Sequence, residues 1–145
     1  MIRRSCFAML AACSAIACSA APDESSHEPE WVGGSSDALQ TGQTYTFRAV
    51  HSGKCLTVAG ASTANSAAIE QRSCNGTASQ RFRVEAMGDF VRVVNLGSGK
   101  CLDVSGASRT AGAGVIQYSC STGLNQQWRL TELGGGAVNL LARHS

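Results

Sequence analysis

The chain has 145 residues and a formal charge of +2, a length that leaves room for one ordinary domain and excludes anything larger. That charge lies in Arg3 and Arg4: without them the twelve basic residues become ten, equal to the ten acids. A balanced body excludes the strongly basic surface that nucleic acid demands.

Met1 to Arg4 is short and basic, and Ser5 to Ala17 is apolar and rich in small residues, so residues 1–17 have the form of an export signal. The run is too short to span a bilayer stably. In Ala15-Ile16-Ala17-Cys18-Ser19 a small residue precedes a cysteine, as at bacterial lipoprotein processing sites, which makes Cys18 the expected lipidated first residue. Cys13, after Leu10-Ala11-Ala12, competes: it fits the lipoprotein pattern better but leaves a very short apolar run ahead of it. Either processing places the protein on the bacterial cell envelope through a lipid anchor, and ordinary signal cleavage would secrete it.

Residues 18–42 read as a flexible tether, rich in Ser, Gly, Pro and acids, with only Trp31, Val32 and Leu39 to bury. Asp23, Glu24, Glu28, Glu30 and Asp37 all precede Gln40, so the rest of the chain carries more basic than acidic residues. We read that excess as solvated arginines along strands.

From Thr44 the chain repeats with a period of 46 residues: Ser52-Gly53-Lys54-Cys55-Leu56 returns as Ser98-Gly99-Lys100-Cys101-Leu102. Val58 matches Val104, Gly60-Ala61-Ser62 matches Gly106-Ala107-Ser108, Gln71 matches Gln117, Cys74 matches Cys120, and Gln80 with Phe82 matches Gln126 with Trp128. Ile69 matches Ile116 only with a one-residue slip. Such a period denotes stacked or symmetric units.

The first unit reads as short strands: alternating Tyr45, Phe47 and Ala49, then Cys55 to Val58, Ala68 to Cys74 and Arg81 to Glu85. The second repeats them as Phe90 to Leu96, Cys101 to Val104, Val115 to Cys120 and Gln127 to Thr131. No segment has helical periodicity, and the expected class is all-β with about four strands per unit. The equivalent cysteines are expected to pair within each unit, Cys55 with Cys74 and Cys101 with Cys120, since both spacings are 19 and each unit is self-contained. Neither a CxxC pair nor clustered histidines support a metal site instead.

After Gly134-Gly135-Gly136, Val138 to Ala142 is apolar and Ala142-Arg143-His144-Ser145 aligns with Ala49-Val50-His51-Ser52. The Gly-Lys-Cys-Leu that should follow is missing. The expectation is two complete repeats plus the first strand of a third, with Leu96, Leu130, Leu140 and Leu141 partly uncovered and self-association through the open side.

Gly99-Lys100-Cys101-Leu102-Asp103-Val104, Val115-Ile116-Gln117-Tyr118-Ser119-Cys120 and Asn125-Gln126-Gln127-Trp128 together resemble a repeat of the ricin B-type lectins. The resemblance covers residues 43–145 and implies a β-trefoil, three repeats around a pseudo-threefold axis, each able to carry a sugar site. It also implies a within-repeat disulfide, in agreement with the pairing above.

A sugar offers hydroxyls at its rim and an apolar C–H face, so its site needs a carboxylate or amide for the rim and an aromatic plane for the face. The resemblance implies that Asp103 accepts from two neighbouring hydroxyls through charge-assisted bonds, that Asn125 donates and accepts, and that Tyr118 is the stacking platform. Gln117 is a further candidate. Gln80, Phe82, Gln126 and Trp128 are expected to be structural, the aromatics as core filler and the glutamines as buried hydrogen-bonding partners. The first repeat has Thr57, Arg72 and Ser79 at the site positions and reads as scaffold.

No motif pairs the domain's acids for glycoside cleavage, and neither a serine elbow nor a zinc-binding helix is present. The expected function is therefore non-catalytic carbohydrate binding without metal or cofactor. The alternatives are a trefoil that inhibits or binds another protein through its loops, and the remnant of a truncated gene.

Overall fold

The computed structural model describes residues 39–145. The export signal, Cys13, Cys18, Trp31 and most of the tether lie outside the described residues.

Nine strands follow one another: β1 (Thr44–Tyr45), β2 (Cys55–Val58), β3 (Ile69–Arg72), β4 (Phe82–Met87), β5 (Phe90–Asn95), β6 (Cys101–Val104), β7 (Val115–Tyr118), β8 (Trp128–Gly134) and β9 (Ala137–Ala142). Units of four strands, β1 to β4 and β5 to β8, precede the single strand β9. The hairpins β2–β3 and β6–β7 share one register, with Cys55 opposite Arg72 and Val58 opposite Ile69 in the first, Cys101 opposite Tyr118 and Val104 opposite Val115 in the second. Ile69 is thus the counterpart of Val115 and Glu70 that of Ile116, so the 46-residue period holds without the one-residue slip inferred above. Between the strands, one-turn 3₁₀ helices at Ala59–Ala61, Ala78–Gln80, Ser105–Ala107 and Leu124–Gln126 replace the expected plain turns.

Antiparallel pairing runs β1-β4-β5-β8-β9, with β6–β7 joined to β5. This is the β-trefoil architecture, with β1 and β9 as the outer members of the path. The expected strand from Tyr45 to Ala49 is cut to two residues, with an isolated bridge from Arg48 to Cys55. Its counterparts β5 and β9 are reached from the preceding strand through a hairpin, whereas no described strand leads into β1. Between β1 and β9 runs a groove of about 470 Å3 lined by Leu39, Tyr45, Phe47, Leu56, Val138 and Leu140 among others. Leu96 and Leu141 are exposed and Leu130 and Leu140 half-buried.

The core is Val58, Phe82, Val93, Leu102, Val104 and Trp128. Phe82 and Trp128 begin β4 and β8 and fill equivalent places, and the Trp128 indole N–H donates to the Leu102 carbonyl at 3.1 Å, which satisfies its one buried polar atom. Both disulfides form as expected, Cys55–Cys74 and Cys101–Cys120. Each joins a fully buried strand cysteine to an exposed loop cysteine, and each closes a loop that stabilises the unit by about 3 kcal/mol through the unfolded chain.

The units are held together by polar contacts. Gln117, 1% exposed, sends its amide N–H groups to the carbonyls of Ser62 and Ala64 at 2.8 Å each, while its oxygen accepts from the Ser98 hydroxyl at 2.7 Å. Asn65 accepts from the backbone and hydroxyl of Ser119 at 3.0 and 3.1 Å. Asn95, buried where β5 ends, donates to carbonyls of residues 78, 79 and 81 and accepts from the backbone of Gly97 and Ser98, tying the second unit's first turn to the end of the first unit.

Gln117 and its twin Gln71 differ sharply, since exposed Gln71 accepts one bond, from Ser52. Gln117→Ala removes a buried amide and leaves the Ser62 and Ala64 carbonyls and the Ser98 hydroxyl without their partner, so it should cost about 2–3 kcal/mol and lower the melting temperature by roughly 10–20 °C. Gln71→Ala should stay within about 0.5 kcal/mol. Calorimetry on both variants checks this, and equal shifts would contradict it.

Candidate functional site

In the second unit, β6, β7 and the Leu124–Gln126 turn meet at a pocket of about 590 Å3 whose lining includes Asp103, Tyr118, Asn125 and Gln126. The three residues singled out for the rim and face of a sugar are therefore brought together. Asp103 is 5% exposed, and its two carboxylate oxygens are held separately: Oδ1 accepts from Asn125 Nδ2 at 2.9 Å and Oδ2 from Gln126 Nε2 at 2.7 Å. A carboxylate only accepts, so these contacts fix which way both amides face. Gln126 also donates to the Ser119 carbonyl at 3.1 Å and accepts from the Ser121 N–H at 2.8 Å, which uses all its capacity inside the protein.

Tyr118, opposite Cys101 on β7, is 44% exposed and presents its ring at the pocket. Asn125 leans over Gly123: a Cβ at Gly123 would lie 2.7 Å from Asn125 Oδ1. Gly123 has φ −59°, an ordinary value, so what a side chain there would disturb is the place of Asn125 and not the backbone. Its counterpart in the first unit is Thr77, and that break in the repeat was the available signal for a residue that sequence reasoning missed.

Gln117 lies outside this pocket. Neighbouring side chains alternate across a strand, so Gln117 faces inward where Tyr118 faces out, and its amide is consumed by Ser62, Ala64 and Ser98. The candidacy of Gln117 as a sugar ligand is corrected: it ties the two units together.

The first unit has an equivalent pocket of about 600 Å3, lined by Thr57, Glu70, Arg72, Ser79 and Gln80 among others. Size does not separate the two; chemistry does. Gln80 takes its internal bonds as Gln126 does, to the Ser73 carbonyl and from the Asn75 N–H at 2.9 and 2.8 Å, but its remaining donor meets the Thr57 hydroxyl at 3.0 Å. That hydroxyl donates in turn to the Cys55 carbonyl at 2.9 Å. Where Tyr118 stands in the second unit, Arg72 pairs with Glu70 at 2.7 Å. Ser79, in place of Asn125, bonds Thr77 at 2.9 Å.

His51 and His144, equivalent in sequence, part company in space: His51 is exposed, whereas His144 is buried with Nε2 3.0 Å from the Ser108 carbonyl. Among the described residues no group of three or more His, Cys, Asp or Glu side chains is arranged to hold a metal ion.

A designed threefold-symmetric protein, ThreeFoil, is similar at 48% identity over 70% of this chain and 74% of its own, with a TM-score of 0.69. An exo-β-1,3-galactanase from Clostridium thermocellum, 1,3Gal43A, is similar at 34% identity over 74% of this chain, with a TM-score of 0.68. This chain spans only 23% of that enzyme. The Macrolepiota procera ricin B-like lectin, solved in complex with lactose, shares the fold at 16% identity, a TM-score of 0.62 and coverage of 74% and 73%. No curated protein matches the chain. The model of the ricin-type β-trefoil lectin domain-like family matches residues 30–118 and 87–145. The chain belongs to the ricin-type β-trefoil lectin-like family.

Proposed function

We propose that the second unit is a carbohydrate-binding site and that the protein acts as a non-catalytic lectin module. The observation that carries this reading is Asp103: a buried carboxylate gripped by two amides and set beside an exposed tyrosine ring. A carboxylate offers about four lone-pair positions, and Asn125 and Gln126 occupy two. The remaining two are acceptors of fixed direction for a pair of adjacent sugar hydroxyls, while the Tyr118 ring covers the C–H face. The first unit has no such acceptor, because the Thr57 hydroxyl is engaged on both sides. That a relative of the fold was solved with lactose and another is a galactanase makes lactose the first probe. One shallow site of this kind gives affinity near the millimolar level, about −4 kcal/mol, so useful avidity comes from many copies on one surface.

Asp103→Ala and Tyr118→Ala should each lower glycan affinity at least about tenfold, a loss of roughly 1.4 kcal/mol or more. Asp103→Ala also deprives the buried Gln126 amide of an acceptor and melts lower, so Asp103→Thr, which keeps one as Thr57 does, separates binding from folding. Thr57→Ala and Arg72→Ala should leave binding within about twofold. Titration with lactose and a panel of immobilised glycans measures this; equal losses from the first-unit variants would overturn the assignment. If all four variants bind as the parent does, the protein-interaction reading takes its place.

Gly123→Ala tests the positioning of Asn125 without removing any polar group. The added methyl displaces Asn125 Oδ1, and because a flexible side chain can yield, the melting temperature should hardly move while glycan affinity falls about fivefold, roughly 1 kcal/mol. Unchanged affinity would show that the place of Asn125 is immaterial.

The same reading has the domain displayed on the cell envelope, with residues 18–42 as tether and Cys18 as the acylated start. The stretch Ala15-Ile16-Ala17-Cys18-Ser19 supports it. Cys18→Ala should move the protein from the membrane to the soluble fraction, and mass spectrometry should find a lipid on Cys18; an unmodified start at another residue rejects the anchor.

A further inference from the structure

The pocket around Asp103 is not built by the second unit alone. Its lining residues fall between Asp103 and Gln126 with one exception, Ser66, which comes from the loop between β2 and β3 of the first unit. The first unit's pocket has no such visitor: its lining lies wholly between Thr57 and Gln80.

Ser66 is also one of three non-glycine residues with positive φ among those described, at +64°. Two of the three, Ala61 and Ala107, are each other's counterparts in the repeat, at +51° and +50°, so their conformation belongs to the frame. Ser66 breaks the symmetry. Its counterpart is Gly112, at +85°, so a glycine stands where the same conformation is needed and no site adjoins it. A serine accepts steric strain there that glycine avoids, and strain of that kind gathers at functional sites.

The loop that carries Ser66 is fixed to the second unit on both sides. The Ser66 N–H donates to the Gln117 carbonyl at 2.9 Å and the Gln117 N–H to the Ala67 carbonyl at 2.9 Å, while Asn65 holds Ser119. Within the pocket, the Ser119 and Ser121 hydroxyls are engaged with Asn65 and the Gly123 N–H. Among the described residues nothing bonds the Ser66 hydroxyl.

Building on the lectin reading, we propose that Ser66 is a ligand contact and specificity-determining residue of the second unit's site, which is therefore shared between two units. A rigidly placed hydroxyl discriminates between sugars that present and lack a hydroxyl on that side, because the mismatched sugar leaves a polar group unpaired.

The test compares Ser66→Gly and Ser66→Ala with the parent and with Asp103→Ala, by lactose titration, a glycan panel and thermal melting. Both Ser66 variants lack the hydroxyl, so both should lose about three- to tenfold in affinity and accept a wider range of glycans. Only Ser66→Gly also relieves the backbone, so it alone should melt several degrees higher than the parent. A variant that gains stability while losing affinity is an outcome that a merely structural serine does not give. If the parent binds and Asp103→Ala does not, yet both Ser66 variants bind like the parent, the shared-site inference fails while the lectin reading stands. Loss in Ser66→Gly alone would trace the effect to loop stiffness and likewise overturn the hydroxyl contact. A parent that binds no glycan removes the lectin reading and this inference together.

Discussion

A glutamine amide is buried near the end of each complete unit, and an amide taken out of water must find partners for two N–H groups and an oxygen. Gln80 and Gln126 solve most of that demand identically, with one carbonyl and one backbone N–H from the loop that follows the third strand. The last donor points at the third residue of the second strand, Thr57 in one unit and Asp103 in the other. That position has to carry an acceptor in either case. A hydroxyl meets the need with its only donor spent on the Cys55 carbonyl and one lone pair left, whereas a carboxylate meets it with a lone pair to spare on each oxygen. The proposed difference between scaffold and site thus rests on which acceptor answers the same structural demand.

Much of this was legible in the sequence because the chain is written twice. The 46-residue period located the four strands of each unit, paired the cysteines and set Asp103, Tyr118 and Asn125 against Thr57, Arg72 and Ser79 before any coordinates were needed. The misreadings are local and have physical causes. The one-residue slip at Ile69 came from matching isoleucine to isoleucine, although a strand keeps the alternation of faces and not the identity of its residues. Gln117 looked like a neighbour of Tyr118 in function because it is its neighbour in sequence, while the two point to opposite faces of β7. Gly123 and Ser66 were missed for another reason: each breaks the repeat, against Thr77 and Gly112, but their roles are spatial, one leaving room for a side chain and the other crossing from one unit to the next, and the break alone does not say so.

Contacts between units also distinguish the two copies of the motif. The β2–β3 loop of the first unit lies along β7 of the second, through the Ala68–Ile116 bridge and the bonds of Asn65 and Gln117. The second unit's pocket is consequently built from its own strands and from the loop of the unit before it. Gln71, which has Gln117 as its counterpart, bonds only Ser52 and stays exposed. Among the described residues the second unit's pocket therefore has a wall that the first unit's lacks.

The exchange at the shared acceptor position also sets stability against binding. A carboxylate in a site this buried is costly to desolvate, and its cost is offset only as far as its oxygens find donors. Among the described residues Asn125 and Gln126 supply one donor to each oxygen, which leaves each oxygen an acceptor position. On the proposed lectin reading a sugar's hydroxyls take those positions and find the oxygens already oriented, so little ordering remains to be done on binding. The Thr57 hydroxyl instead donates to the Cys55 carbonyl and accepts from Gln80 within its own unit. In the proposed site it is the acceptor capacity left on Asp103, beyond what Asn125 and Gln126 take, that a sugar would bind.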